Sequence, residues 1–86
     1  MAAIKSKIRR IVSEEFPGAK LKFDRTSAGE RVGGMLIWEG FLGLDHVDRQ
    51  RRVREAVRDR LTGKEREGFM GLLAFTPWEM DVMRAG

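Results

Sequence analysis

Few side chains in this 86-residue sequence are of the types that perform covalent or acid–base chemistry. It contains no Cys and no Tyr, and His46 is its one histidine. These counts exclude a thiol nucleophile, a disulfide and a Cys-based metal site. No phosphate loop of the G-x-x-x-x-G-K type occurs, and the carboxylates of Glu14 and Glu15 lie on an amphipathic segment as solvated charge. We therefore predict that the protein is not an enzyme.

His46 is the strongest single metal-ligand type in the chain. It follows Asp45, and Asp48 comes three positions after that aspartate. One imidazole makes a metal site only together with other strong donors. Carboxylates at the start of a helix are ordinary capping and dipole partners. We therefore predict a structural or solvent-exposed role for His46, and no metal site.

A run of arginines is the second feature that could carry function. Its members are Arg49, Arg51, Arg52, Arg54, Arg58 and Arg60. Such a surface can bind phosphates or an acidic partner. Interspersed carboxylates allow a second interpretation, a solvated face of ion pairs such as Asp48 with Arg52. Both stay open, with Arg49, Arg51 and Arg52 as the candidate binding residues, and the net charge of +4 permits nucleic-acid binding without requiring it.

Aromatic side chains could also contact a ligand, because an open sheet face can stack bases or anchor a partner. For Trp38 and Phe75 we favour a packed role. The segment 40–43 reads G-x-x-G, as in nucleic-acid-binding KH loops, but its middle residues are apolar. We expect Phe41 and Leu44 to fill the core.

The first half of the chain predicts one helix and two strands. Apolar residues recur at helical spacing from Ile4 to Phe16, and Pro17-Gly18 ends that helix. Alternation over 20–25 predicts a strand with Leu21 and Phe23 on one face. A polar connection over 26–31 and a turn at Gly33-Gly34 lead into a second strand over 35–39, which suggests an antiparallel hairpin.

The second half predicts helix, strand and helix. Asp45 caps a helix that continues to about Leu61, with an inner face of Val47, Val53, Val57 and Leu61, and Gly63 ends it. Residues 64–67 form a charged loop, and 69–75 form a short apolar strand. The segment Thr76-Pro77-Trp78-Glu79 is a capping box for a last helix whose Met80 and Met83 point inward.

The resulting order is α-β-β-α-β-α, an α+β two-layer sandwich. The hairpin pairs the first two strands antiparallel, and the helical crossover places the third parallel to the second. The helices cover one face of this three-stranded mixed sheet, and residues 1–86 form a single domain. The N-terminus has no apolar signal region and no segment is long enough to cross a membrane, so we expect a cytoplasmic protein.

Four segments, in order and at the right intervals, resemble the BolA-like family. They are Phe16-Pro17-Gly18-Ala19, the loop over 24–30, Phe41-Leu42-Gly43-Leu44 followed by Val47, Arg49, Arg51 and Val53, and Ala74-Phe75-Thr76-Pro77-Trp78-Glu79. The resemblance implies a class II KH-like fold. It also implies pairing with a monothiol glutaredoxin around a shared two-iron, two-sulfur cluster, or DNA binding in transcriptional control of stress response and cell shape.

The chain departs from the family at its ligand positions. The family histidine lies eight positions before the Thr of the T-P pair, which is Gly68 here. The hairpin loop, where a second His or Cys is common, ends in Glu30-Arg31, and the family's R-H-R reads Arg49-Gln50-Arg51. Cluster iron needs thiolate or imidazole donors, and arginine keeps its charge. We therefore predict no bound cofactor, so that pairing would occur without a cluster or with unusual ligands.

The leading functional prediction is a BolA-like interaction protein, a monomer or weak homodimer. It binds a protein partner, a monothiol glutaredoxin, through the region of Arg31, Arg49, Arg51 and the strand start at Gly68. The alternative is a DNA-binding regulator that uses Arg49, Arg51, Arg52 and loop residues. A third possibility is a divergent homologue with an unrelated partner.

Overall fold

A computed structural model describes residues 2–24 and 31–85 of the chain, with side-chain environments from Ile4 to Arg84. The helices and strands are α1 (Ala2–Glu15), β1 (Lys20–Phe23), β2 (Val32–Ile37), α2 (His46–Ala56), α3 (Gly63–Glu67), β3 (Phe69–Phe75) and α4 (Pro77–Ala85). Two short 3-10 helices cover Glu39–Phe41 and Arg58–Arg60. Of the predicted connection over 26–31, residues 26–30 lie outside the described residues.

The three strands form one mixed sheet in the order β1-β2-β3. β1 pairs antiparallel with β2, with Leu21 opposite Leu36. β2 pairs parallel with β3, with Leu36 beside Ala74. The predicted α+β architecture and its parallel crossover are therefore confirmed.

The core lies between the helices and one face of this sheet. Residues that are almost fully buried come from α1, from the strands and from the α2 region: Ile8, Ile11, Val12, Phe16, Leu36, Leu72, Ala74, Phe41, Val53, Val57 and Leu61. Burial of such side chains contributes about 1.5–3 kcal/mol each, which makes this packing the main source of stability. The expectation that Phe41 fills the core is confirmed, and Leu44 packs against the same cluster.

The predicted turn at Gly33-Gly34 was wrong, because both glycines lie within β2. A Cβ at residue 34 would overlap the carbonyl oxygen of Lys22 on the paired strand. Glycine is therefore needed here for close approach of two backbones and not for a turn. β2 consequently starts earlier than predicted and ends at Ile37, before Trp38.

The central helical segment is broken where one continuous helix was predicted. α2 ends at Ala56, a 3-10 helix follows, and Gly63 begins α3 instead of ending a helix. The predicted loop over 64–67 is helical because Thr62 and Glu65 form a complete capping box. Val47, predicted on the inner face, is 67% exposed.

The last helix begins as the sequence predicts. The Thr76 backbone N–H donates to Glu79 Oε1 at 2.8 Å, and the Glu79 N–H donates to Thr76 Oγ1 at 3.2 Å. Met80 is half-buried, whereas Met83 is 56% exposed, so its predicted inward position was wrong. The helix is short, and its apolar side chains Trp78, Val82 and Met83 are exposed.

Side chains of α2 reach the outer edge of β3. The carbonyl of Phe75 accepts from Trp38 N–H towards β2. Successive carbonyls of a strand point in opposite directions. Those of Ala74 and Leu72 therefore point away from β2, towards the outer edge of the sheet. Arg49 Nη1 donates to Ala74 O at 3.3 Å, and Gln50 Nε2 donates to Leu72 O at 3.1 Å. Two outward carbonyls of this edge are thereby satisfied.

Candidate functional site

A groove of about 370 Å³ runs between α2, α3 and the first half of β3. Its charged lining consists of Arg31, Arg54, Arg58, Arg66 and Glu67, and we call this site the arginine groove. The remaining lining residues are Gln50, Val53, Phe69, Met70, Gly71 and Leu72. The volume lies within the range of small-ligand sites, roughly 300–1,000 Å³.

Each guanidinium of the groove is placed by a different part of the fold. Arg31 immediately precedes β2, Arg54 is on the last turn of α2, Arg58 opens the second 3-10 helix and Arg66 is on α3. Arg66 is fixed in position, because its Nε donates to Arg58 O at 2.9 Å and its Nη2 to Asp59 O at 3.3 Å. The break between α2 and α3 is therefore what brings Arg58 and Arg66 together.

The charge of the groove is strongly one-sided. Among the described residues of its lining, Glu67 is the single carboxylate. Among the described residues, none of the four groove arginines takes part in an ion pair. Four cationic side chains around one concave surface create a positive potential that attracts anions.

Arg31 and Gly68, two of the sequence-predicted site residues, lie next to each other. The Val32 backbone N–H donates to Gly68 O at 2.7 Å, where β2 begins beside the residue that precedes β3. Arg31 is exposed and lines the arginine groove, and both neighbours of Gly68, Glu67 and Phe69, line it as well. The two residues therefore mark one end of the groove.

Arg49 is held inside the fold and does not face the groove. It is 6% exposed, and its guanidinium forms a bidentate ion pair with Glu79, Nη1 to Oε1 at 2.7 Å and Nη2 to Oε2 at 3.0 Å. Its Nε donates to Leu44 O at 2.8 Å. Hydrogen bonds from Arg49 and from the Thr76 N–H lower the pKa of Glu79 to about 2. With its donors engaged, Arg49 acts as a structural residue that joins α2 to the start of α4.

Arg51 and Arg52 are exposed on α2 but do not line the groove. Arg51 Nη1 lies 3.6 Å from Asp48 Oδ1. Asp48 therefore pairs with Arg51, whereas the sequence predicted an ion pair with Arg52. The Arg52 guanidinium lies 5.5 Å from the Phe16 ring centre and 5.4 Å from that of Trp38. Its contacts are thus cation–π contacts with a packed aromatic cluster.

Comparison with known proteins gives matches among solved structures only. No family model matches the sequence, and no curated protein matches it. BolA1 from Arabidopsis thaliana matches with a TM-score of 0.65 at 20% identity, over 88% of this chain and 94% of that one. A bol-like protein from Babesia bovis matches with a TM-score of 0.61 at 19% identity, over 93% of this chain and 92% of that one. The chain has the BolA-like fold. The resemblance inferred from the four sequence segments is therefore confirmed at the level of the fold.

The donor set of this BolA-like chain does not fit an iron–sulfur cluster. Gly68 has no side chain, and its neighbour in space, Arg31, keeps its charge and cannot ligate iron. His46 lies elsewhere, in a small groove with Phe75, Trp78 and residues of α4. Within residues 2–24 and 31–85, no group of three or more His, Cys, Asp and Glu side chains could hold a metal ion.

Trp38, one of the two aromatic residues considered as a stacking surface, follows the end of β2 and packs within the BolA-like fold. Its indole Nε1 donates to Pro17 O at 2.9 Å, and its ring meets Phe16 edge-on at 5.1 Å between centroids. Phe75 is half-buried, whereas Trp78 is exposed. In the part of the chain that the structure describes, no helix is long and apolar enough to cross a bilayer.

Sequence reasoning missed the arginine groove as a unit. Arg54 and Arg58 belong to the recognised arginine run, but Arg66 lies in a segment predicted to be a loop. The signal that would have placed Arg66 on a helix is Thr62 followed by Glu65, an S/T-x-x-E capping box. Its proximity to Arg58 depends on tertiary packing, which periodicity does not encode.

Proposed function

We propose that this chain is a BolA-family interaction protein without catalytic activity, and that it binds a protein partner, a monothiol glutaredoxin, at the arginine groove. The observation that carries the proposal is the groove itself, where Arg54, Arg58 and Arg66 converge beside Arg31 and Gly68. Those last two positions are the ones at which the family resemblance places partner contact. The BolA-like fold is consistent with the same class of protein.

The surface around the groove has the mixed character of a protein interface. Met70 lines the groove and is largely exposed, which offers an apolar anchor among charges. Arginine and methionine are enriched at interfaces, and complementary charge guides encounter and fixes orientation. An acidic surface on the partner would complement the groove, whose described lining holds four arginines and one carboxylate, Glu67.

Pairing in this proposal does not use a cluster ligand from this chain. Gly68 and Arg31 supply no thiolate or imidazole to iron. The partner is therefore held by charge and packing, and an iron–sulfur cluster carried by the glutaredoxin keeps its own ligands. This differs from the shared cluster that the resemblance implies for typical family members.

The proposal is tested by titrating the chain into a monothiol glutaredoxin, with and without its cluster, by isothermal titration calorimetry and visible absorption. We expect binding in both states and little change in cluster absorption. Arg58→Glu should weaken binding by at least about tenfold, equivalent to about 1.4 kcal/mol. Arg10→Glu makes the same charge change on an exposed position of α1 and should have little effect. Absence of binding in both states would refute the proposal.

Nucleic-acid binding is a second candidate, favoured by the positive potential of the same groove. Of its predicted residues, Arg49 is buried and paired with Glu79. Arg51 and Arg52 are exposed, and the groove arginines add further positive charge. Binding of this kind should weaken steeply as salt rises and should fall on Arg51→Ala. A titration with short DNA at two salt concentrations separates it from the protein partner, and salt-independent or absent binding excludes it.

A further inference from the structure

The arginine groove gathers like charges that the fold does not balance. Arg54, on the last turn of α2, and Arg58, at the start of the 3-10 helix that follows, line the same surface, where their like charges repel each other. Arg66 and Arg31 add two further guanidinium groups from other parts of the chain. Among described residues, the groove's carboxylate is Glu67 alone, so the lining keeps a net excess of three positive charges. A bound polyanion would relieve this repulsion.

One of these groups is already oriented for binding. The hydrogen bonds of Arg66 to the carbonyls of Arg58 and Asp59 use its Nε and Nη2. Its Nη1 has no hydrogen bond to the described residues. A guanidinium N–H donates a short, charge-assisted hydrogen bond to a phosphate oxygen. Because the two carbonyl contacts already restrict the Arg66 side chain, less side-chain entropy is lost when the ligand arrives.

The interior of the groove is apolar, unlike its rim. Val53 and Leu72 line it and are almost fully buried, and Phe69 is half-buried beside them. Gln50 Nε2 donates to Leu72 O, which leaves the amide oxygen of Gln50 to accept a hydrogen bond. A charged rim over an apolar floor fits a ligand with an anionic end and an organic body.

We propose that the arginine groove binds a small organic diphosphate, with its linked phosphates between Arg54, Arg58 and Arg66 and its organic part against Phe69. A single phosphate ester carries a charge of about −1.5 to −2 at pH 7, which leaves part of the groove charge unbalanced. The negative charge of two linked phosphates comes closer to balancing the groove's excess of three positive charges. This site does not depend on the glutaredoxin partner, although the two ligands would compete for the same surface.

The test is calorimetric titration of the full chain with inorganic pyrophosphate, ADP and adenosine. We expect ADP to bind more tightly than pyrophosphate, since the apolar floor contacts its organic part, and adenosine to bind weakly. Arg58→Ala and Arg66→Ala should each lower the affinity for pyrophosphate by at least about tenfold. Arg58→Lys keeps the charge but loses the fork, and should recover only part of the affinity. Thermal melts confirm that each variant is folded.

Arg10→Ala is the matched control, because it removes one positive charge from an exposed position outside the groove. It should change the affinity by less than about twofold, within the small effect expected of a screened distant charge. Equal losses in Arg10→Ala and Arg58→Ala would mean general electrostatic attraction and would overturn the proposal. No binding of pyrophosphate or ADP at millimolar concentration would also overturn it. Since glutaredoxin is absent from this titration, failure here leaves the proposed protein partner to its own test.

Discussion

The guanidinium of Arg49 and the carboxylate of Glu79 form a bidentate ion pair across 30 residues of sequence, at 2.7 and 3.0 Å. Glu79 simultaneously accepts from the Thr76 N–H, as the second half of the capping box of α4. The Glu79 carboxylate therefore connects α2 to the junction at which β3 ends and α4 begins. Arg49, predicted from the sequence as a binding residue, thus contributes to the organisation of the fold.

We predict that Arg49→Lys destabilises the protein markedly. A lysine ammonium cannot reproduce the paired donors to Glu79 or the bond from Nε to Leu44 O. Breaking a buried pair costs roughly 3–5 kcal/mol, and since the Glu79 side chain is 28% exposed we expect about 2–3 kcal/mol in urea unfolding. Arg51→Lys alters an exposed pair and should change the free energy of unfolding by less than about 0.5 kcal/mol. Similar losses in both variants would contradict this assignment.

Acid should destabilise the protein partly through Glu79. Its pKa falls from an ordinary 4.5 to about 2 in the folded state, because Arg49 and the Thr76 N–H stabilise the carboxylate. The unfolded chain therefore binds more protons at this group between those values. The stabilisation is fully present above pH 4.5 and is lost as the pH falls towards 2. Glu79→Gln should be less stable at pH 7 and should lose less stability on acidification, as measured by unfolding at several pH values. A slope unchanged from the wild-type protein would show that other groups dominate.

Gly34→Ala should disrupt the pairing of β1 with β2. The added Cβ would overlap Lys22 O and approach the Phe23 Cα to 2.9 Å, so the two backbones must separate. We expect a loss of more than about 2 kcal/mol, at the upper end of overpacking effects. Gly63→Ala is the control, because its Cβ would meet nothing within 4 Å. Urea unfolding should show it neutral or up to about 1 kcal/mol more stable. Tolerance of alanine at residue 34 would argue against the observed strand register.

Phe41→Ala should create a large core defect. Phe41 is fully buried and lies 5.8 Å from Phe16 and 5.3 Å from Trp38, between ring centroids. Truncation of a buried phenylalanine costs about 3–5 kcal/mol. The adjacent residue, Leu42, is exposed, so Leu42→Ala should stay within about 0.5 kcal/mol of the wild-type protein. Chemical denaturation of Phe41→Ala and Leu42→Ala tests whether segment 40–43 contributes to the core through Phe41. A small effect of Phe41→Ala would favour the interpretation of this segment as a nucleic-acid-binding loop.

The order of elements was predictable from local chemistry, except for α3. The capping boxes and the alternation of Leu21 with Phe23 act within a few residues, so they are visible in sequence. Gly34 misled the prediction because glycine serves turns and close strand contacts alike, and only the position of Lys22 O distinguishes them. The break after Ala56 was missed because Val53, Val57 and Leu61 keep helical spacing through the following 3-10 helix.

The candidate site was predictable only in part. Arg31 and Gly68 were named because they occupy family ligand positions, and the structure brings them together. Arg49 was predicted to bind a partner because of its charge, and its burial could have been expected from its spacing of four from the buried Val53. Arg66 meets Arg58 through the packing of α3, and contacts of that kind depend on the whole fold.

The two outward carbonyls of β3 that accept from Gln50 and Arg49 bear on how the protein behaves when concentrated. An unpaired strand edge is a template on which another chain can add, and that addition leads to aggregation. Here two acceptors of the β3 edge are already occupied by side chains from the same molecule, while at the opposite edge Lys20 and Lys22 lie exposed on β1. Each molecule thus resists recruiting its neighbours into extended fibres.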